Sequence, residues 1–292
     1  MMSSKGRWFL GALVGVCVPV VLLAADGKPQ VAKLTAAQIV EKHVAARGGS
    51  QAWRGVQTMS WNGKMEVGFG DSAARSARYV SNAAKASTAK KKAMLEQASQ
   101  GKPEDKQVQL PFLLEMKRPH KSRVEIQFDG KTSVQVYDGS NGWMMRPYLN
   151  RDDWEPFSPD QAKEEAGNPG LDGPLLDFAT KGTKVELESV EPVESRDAYK
   201  LKLTMKSGDV RHVWIDAQTF LDVKVEGTPR RMDGLMRTVW VYQRDFRSVQ
   251  GLMVPFVLET AVDGYKDTHK MVIEKVGLNP QLDDSLFVRP KS

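Results

Sequence analysis

The side chains that could do chemistry in this sequence are few and poorly placed for it. Its four histidines, His43, His120, His212 and His269, are scattered, without the short spacing at which two ligands share one helix or strand face. His43 falls on the apolar stripe of a helix, where a core or boundary histidine is the simpler reading than a ligand. Ser87-Thr88-Ala89-Lys90 matches the serine–lysine pattern of penicillin-interacting enzymes, a nucleophile beside its base. It makes a secreted serine hydrolase an alternative function, but an Ala/Lys-rich stretch offers no strand-to-helix turn to bury and aim Ser87. Asp152-Asp153 and Glu164-Glu165 read as solvated loop and helix-end charges. Asp138-Gly139-Ser140-Asn141-Gly142 joins two strands instead of opening a helix, so it is not a phosphate loop. No catalytic residue, metal site or cofactor is expected, and the protein reads as a non-enzyme.

The single cysteine, Cys17, lies inside what reads as a leader. Lys5 and Arg7 make a basic start, Trp8 to Ala24 is apolar, and Ala24-Ala25 offers a small-residue cleavage point before Asp26. This order predicts a cleaved signal peptide over 1–25 and a periplasmic mature chain of one domain over 26–292. The alternative, an uncleaved anchor, has Pro19 against it. Cleavage leaves a chain with no thiol, which excludes disulfides, thiolate metal sites and cysteine nucleophiles.

The net charge of +6 belongs mainly to one stretch. Ser72–Gln107 holds eight bases (Arg75, Arg78, Lys85, Lys90, Lys91, Lys92, Lys102, Lys106) against Glu96, Glu104 and Asp105. The remainder is close to neutral, which argues against a nucleic-acid-binding surface spread over the fold. Rich in Ala, Ser and Lys with little apolar periodicity, 72–107 is expected to be a mobile excursion between two strands. It either solubilises the chain or touches anionic lipid or an acidic partner.

The elements that frame these residues are mostly strands. One helix opens the mature chain: Thr35 caps it, Gln38 completes a capping box, Ile39, Val40, His43 and Val44 form its apolar stripe, and Gly48-Gly49 ends it. Ser50 is expected to cap a further turn containing Trp53. From Met59 the apolar period becomes two, and the alternation recurs to Ile273 in about ten segments. Asp129-Gly130 and Ser207-Gly208-Asp209 mark tight hairpins, so the sheet is antiparallel. Trp143–Gly182 interrupts the alternation, with a short helix after Ser158-Pro159 and a further helical turn expected at Pro174–Ala179.

This sheet is larger than its helices can cover. With about 33 Å² per inward residue, ten strands present roughly 1,300 Å² of apolar face. The helices shade only about 400 Å² of it. The excess is absorbed either by a dry sandwich or barrel core, or by a curved sheet holding an apolar guest. Met59, Met65, Met116, Met205 and Met271 recur on the apolar faces, as adaptable gap-fillers or as a lining for variable guests.

Four stretches, in order along the chain, resemble the LolA-type outer-membrane lipoprotein-sorting family of periplasmic lipoprotein and lipid carriers. They are LTAAQIVEKHVAARGG, VYDGSNGW, VWIDAQTFLDVKVEG, and GLMVPFVLETAVDG with the closing VGLNPQLDDSLFVRP. The resemblance implies a mainly β, α+β fold: a strongly curved antiparallel sheet forming an unclosed barrel, with a few helices as a lid over its concave face. It implies a shuttle that takes an acylated lipoprotein or lipid from an inner-membrane exporter or releasing complex to an outer-membrane acceptor. No cargo-contacting arginine of the family is matched here. The expected lipid-binding wall, chosen by alternation, is Trp61, Met65, Leu114, Met116, Ile126, Leu203 and Phe256, with Ile39 and Val44 from the first helix. A lipoprotein-sensing regulator of the same superfamily and a guest-free structural domain are the other readings.

Overall fold

Thr35 starts the fold by satisfying backbone groups that no helix satisfies for itself. Its hydroxyl accepts from the Gln38 amide at 3.3 Å, and the Gln38 side chain accepts from the Thr35 amide at 2.9 Å. Helix α1 (Ala36–Ala46) follows and buries Ile39, Val40 and His43. It ends where Gly48, at φ +109°, passes so close to Gly251 that a Cβ would lie 2.5 Å from that carbonyl oxygen. Gly49, and not Ser50, then caps α2 (Ser50–Arg54), because its φ of +90° turns the chain and Ser50 is already helical.

The computed structural model describes residues 33–67, 108–232 and 234–289. The expected leader with Cys17, the Ser87–Lys90 string and the basic 72–107 stretch lie outside them. Among the described residues no helix is long and apolar enough to cross a membrane.

Two antiparallel meanders make one sheet. The first comprises β1 (Thr58–Val67), β2 (Val108–Lys117), β3 (Lys121–Phe128), β4 (Lys131–Tyr137), β5 (Gly142–Arg146) and β6 (Arg151–Pro156). Asp129 and Gly130, both at positive φ, make the expected tight β3–β4 turn. The second comprises β7 (Lys184–Val193), β8 (Arg196–Thr204), β9 (Val210–Asp216) and β10 (Asp222–Glu226), then β13 (Val239–Val249), β14 (Leu252–Val262) and β15 (His269–Leu278). Between β10 and β13, β11 (Arg230–Met232) and β12 (Leu235–Arg237) form a separate two-stranded ribbon. Helix α3 (Pro159–Ala166) lies on the connection from β6 to β7, opened by Ser158-Pro159 as the sequence predicts, with Gln161 completing a capping box.

The main sheet has thirteen strands in the order β6-β5-β4-β3-β2-β1-β15-β14-β13-β10-β9-β8-β7. First strand pairs with last, so the two meanders join into one sheet whose free edges are β6 and β7. Alternation predicts about ten strands; β5, β6 and β7 escape it. The first two are short pieces inside the Pro- and Gly-rich interruption. In the third, an edge strand, Leu187 and Val190 are exposed and lie among glutamates. The helical turn expected at Pro174–Ala179 is absent: 173–182 is a run of turns, with Gly173 and Asp177 at positive φ.

Curvature follows from what the strands share. β2 and β8 stand seven places apart in the sheet, about 34 Å if it were flat. Leu114 of β2 and Leu203 of β8 nevertheless face one cavity. The sheet is therefore a strongly curved, unclosed half-barrel. Its concave side packs Val44 and Trp53 of the helices, with Leu171 and Leu176 of the β6–β7 connection, against Met59, Phe112, Leu252, Val254, Phe256 and Ile273.

The β1–β15 seam closes around a glycine. Register slips after Asn62, and a Cβ on Gly63 would sit 2.1 Å from the Val272 carbonyl oxygen and 2.9 Å from the Ile273 Cα. Both are backbone atoms and cannot swing aside. Gly63→Ala is expected to destabilise the protein by about 3 kcal/mol in chemical denaturation. A loss under about 0.5 kcal/mol would show that the seam does not need this close approach.

Candidate ligand cavity

The concave side is not filled by the chain. A cavity of about 350 Å³ remains between the sheet and the β6–β7 connection. One wall carries Met59 and Trp61 of β1 with Leu114 and Met116 of β2. The facing wall carries Leu203 at the end of β8, Val213 of β9 and Val225 of β10. Val241, Val254 and Leu258, from β13 and β14, make the floor between them. Residues 164–171, from the end of α3 onward, cross over the top.

Of the expected wall residues, the structure brings Trp61, Leu114, Met116 and Leu203 to this cavity. Val44, Met65, Ile126 and Phe256 stand on the adjoining packed cluster, and Ile39 is fully buried under α1. Three of the five recurrent methionines, Met59, Met116 and Met205, line the space; Met65 and Met271 pack beside it. Trp61 keeps its indole N–H satisfied within the apolar wall by donating to the Met59 sulfur at 3.0 Å.

One part of the lining is buried and polar, which alternation could not show. Arg47 and Asp222 both face the cavity, and His43 stands behind Asp222. Asp222 is almost wholly buried, 3.9 Å from the Arg47 guanidinium and 3.7 Å from His43 Nε2. Both separations exceed hydrogen-bond range, and neither Asp222 oxygen nor Arg47 Nε makes a hydrogen bond within the protein. Arg47 is held by the Trp53 ring, 4.3 Å from its guanidinium carbon, while its carbonyl accepts from the Trp53 indole at 3.0 Å. His43 Nδ1 stands 2.9 Å from the Phe220 carbonyl, which can only accept, so that nitrogen carries the proton. In the neutral ring Nε2 then turns a lone pair toward Asp222, which accounts for their separation. Burial lowers the His43 pKa against the pull of Asp222, and Arg47 lowers it further.

The cover is fastened at both ends. Helix α3 bridges the two walls: on one side Ser122 donates to Glu165 at 2.6 Å, and on the other Arg230 pairs with Glu164 at 2.6 Å. Further along, Arg118 pairs with Asp172 at 2.5 Å and donates to the Val56 and Trp53 carbonyls, while Arg54 pairs with Asp177. Burial alone would raise the Asp172 pKa, but the Arg118 hydrogen bond and Lys181 outweigh it and leave it lowered. Among the described residues no His, Cys, Asp and Glu group is arranged to hold a metal ion.

Solved structures that share little sequence with this chain have the same curved, unclosed half-barrel. A LolA superfamily protein from Nitrosomonas europaea superposes at a TM-score of 0.52, with 15% identity, over 88% of this chain and 99% of the other. A DUF1329 family protein from Desulfovibrio piger does so at 0.51, with 13% identity, over 87% and 97%. A putative outer membrane lipoprotein-sorting protein domain from Vibrio parahaemolyticus superposes more loosely, at 0.48 and 9% identity, over 85% and 94%. At the level of sequence no family model matches, and no curated protein matches.

The buried histidine makes stability depend on pH with a definite sign. Below about pH 6.5 the unfolded chain takes up a proton that folded His43 resists, so the unfolded state binds more protons. The contribution of His43 is therefore complete above that pH and is lost as pH falls through the lowered folded value. Denaturation at pH 8 and pH 5.5 is expected to show wild type losing more stability than His43→Asn over the same interval. Equal losses would mean that His43 is not held neutral.

Proposed function

We propose that this protein is a non-catalytic carrier of the cell envelope that holds the acyl portion of a lipoprotein or lipid in its half-barrel. The observation that carries the proposal is the hollow of about 350 Å³ left between Trp61, Leu114, Met116 and Leu203 in a fold whose sheet could have closed on itself. This volume is near the lower end for small-molecule sites, about 300–1,000 Å³, and suits one slim chain. A bulkier, multiply acylated anchor needs the α3 cover to move. Each methylene taken from water contributes about 0.8 kcal/mol, so ten of them supply a useful affinity with no covalent step.

In this reading the leader over 1–25 directs the chain to the periplasm, and the remainder acts as one carrier domain. An inner-membrane releasing complex loads it, and an outer-membrane acceptor empties it. Arg47 and Asp222 offer a donor and an acceptor to a polar group carried within the guest, such as an amide or hydroxyl.

Native mass spectrometry of protein purified from its own envelope tests the reading. Wild type is expected to retain a lipid-sized mass. Met116→Trp, which fills the hollow from a wall residue that is only partly buried, is expected to lose that mass while keeping the wild-type circular dichroism spectrum. Wild type found empty, or an equally loaded Met116→Trp, would end the carrier reading.

A further inference from the structure

The β11–β12 ribbon stands apart from the main sheet and carries the two most exposed large apolar side chains among the described residues. Leu235 is 56% exposed and Met236 54%. Its register pairs Met232 with Leu235, Arg231 with Met236 and Arg230 with Arg237. The rung next to the turn is therefore wholly apolar, the rung at the base is two arginines, and Arg231 and Met236 share the rung between them. Two residues along a strand span about 7 Å, close to the depth at which apolar side chains sit in a bilayer interface below a phosphate-level basic collar. Arg230 and Arg237 also face each other directly, a like-charge pair that an anionic surface offsets. In sequence, 230–237 holds three arginines against one acid, a net positive charge.

The ribbon is tied to the cavity cover. Arg230 pairs with Glu164 at 2.6 Å and Arg231 with Asp160 at 3.3 Å, and both acids lie on α3. Thr228 at its base donates to the Glu164 carbonyl at 3.4 Å. Glu164, Thr228 and Arg230 all border the cavity. The two ion pairs are solvent-exposed and hence weak and exchangeable. A phosphate offers an arginine the same bidentate partner as a carboxylate.

We propose that the β11–β12 ribbon is a docking surface for an anionic phospholipid bilayer, inserting Leu235 and Met236 while lipid phosphates draw Arg230 and Arg231 from Glu164 and Asp160. Docking then frees α3 at the rim of the cavity, so the hollow opens where it faces the membrane. This second step rests on the carrier reading; the docking does not.

Flotation of the mature chain with vesicles of phosphatidylethanolamine and phosphatidylglycerol, against vesicles of phosphatidylcholine alone, tests the docking. Wild type is expected to float with the anionic vesicles. The pair Leu235→Glu with Met236→Glu is expected to partition about tenfold less or weaker still, and Arg230→Gln with Arg231→Gln to lose the preference for anionic lipid. Apolar double variants that float like wild type would overturn the proposal, since the basic 72–107 stretch would then suffice. So would a wild-type dimer in sedimentation velocity that the same variants dissociate, because the ribbon would then be covered by a second copy. A fluorescent fatty acid titrated without vesicles reads the cavity separately. Its binding is expected to be the same in wild type and the Leu235/Met236 variants. Loss of probe binding with normal flotation would count against the carrier reading, and normal probe binding without flotation against the docking.

Discussion

The pairing of β1 with β15 is the constraint on which the architecture depends. Each meander alone is an open ribbon of antiparallel strands with a bare apolar face. Joined at this seam, they become a single sheet long enough to curl, and its free edges, β6 and β7, are left without each other as partners. The chain between those edges must pass across the concave side to get from one to the other. That passage places α3 and Leu171 over the hollow. The seam itself depends on Gly63, where a slip in register brings the β15 backbone too close for any side chain. One strand contact thus determines both that there is a trough and what covers it.

Much of this was legible in the residues. Thr35 and Gln38, Ser158-Pro159, and Asp129-Gly130 act through local chemistry, so they read the same in the chain as in the fold. Alternation around Trp61, Leu114, Met116 and Leu203 marked the apolar side of the sheet, and these residues do reach the cavity. The same alternation marked Met65, Ile126 and Phe256, which pack in the neighbouring core. A period of two says which face a residue is on, but not how far along the barrel the helices reach. That boundary is set by Val44, Trp53, Leu171 and Leu176, contributed from two distant parts of the chain. The polar end was hidden for a similar reason. Arg47 ends one helix and Asp222 begins a strand 175 positions later in the numbering, and only the fold brings them to one wall. The thinly patterned β5, β6 and β7 show the opposite limit, since edge and near-edge strands bury too little to leave a strong period.

The electrostatics divide by depth. Around Asp222 three ionisable side chains are withdrawn from water with few hydrogen bonds, an arrangement that burial makes costly and that a folded core tolerates only at close ion-pair range. At the rim, α3 is held by ion pairs to Arg230 and Arg231 that stand in solvent and contribute little each. The buried charges therefore carry a desolvation cost that their pairing offsets only in part, whereas the pairs on α3 exchange readily with any competing anion.

The size of the cover then bounds what can move it. Lifting the connection exposes Leu171, Leu175 and Leu176, now buried, at about 1.5–3 kcal/mol for each side chain. In the proposed carrier an acyl chain that takes their place would recover about 0.8 kcal/mol per methylene. Between about six and eleven methylenes would therefore offset the exposure of the three leucines, and only those beyond that number would contribute to net binding. On that reading a short-chain amphiphile leaves the cover closed, whereas a membrane-length chain has methylenes to spare. Selection for long chains would then follow from the three leucines on the cover, with no contact that measures chain length directly.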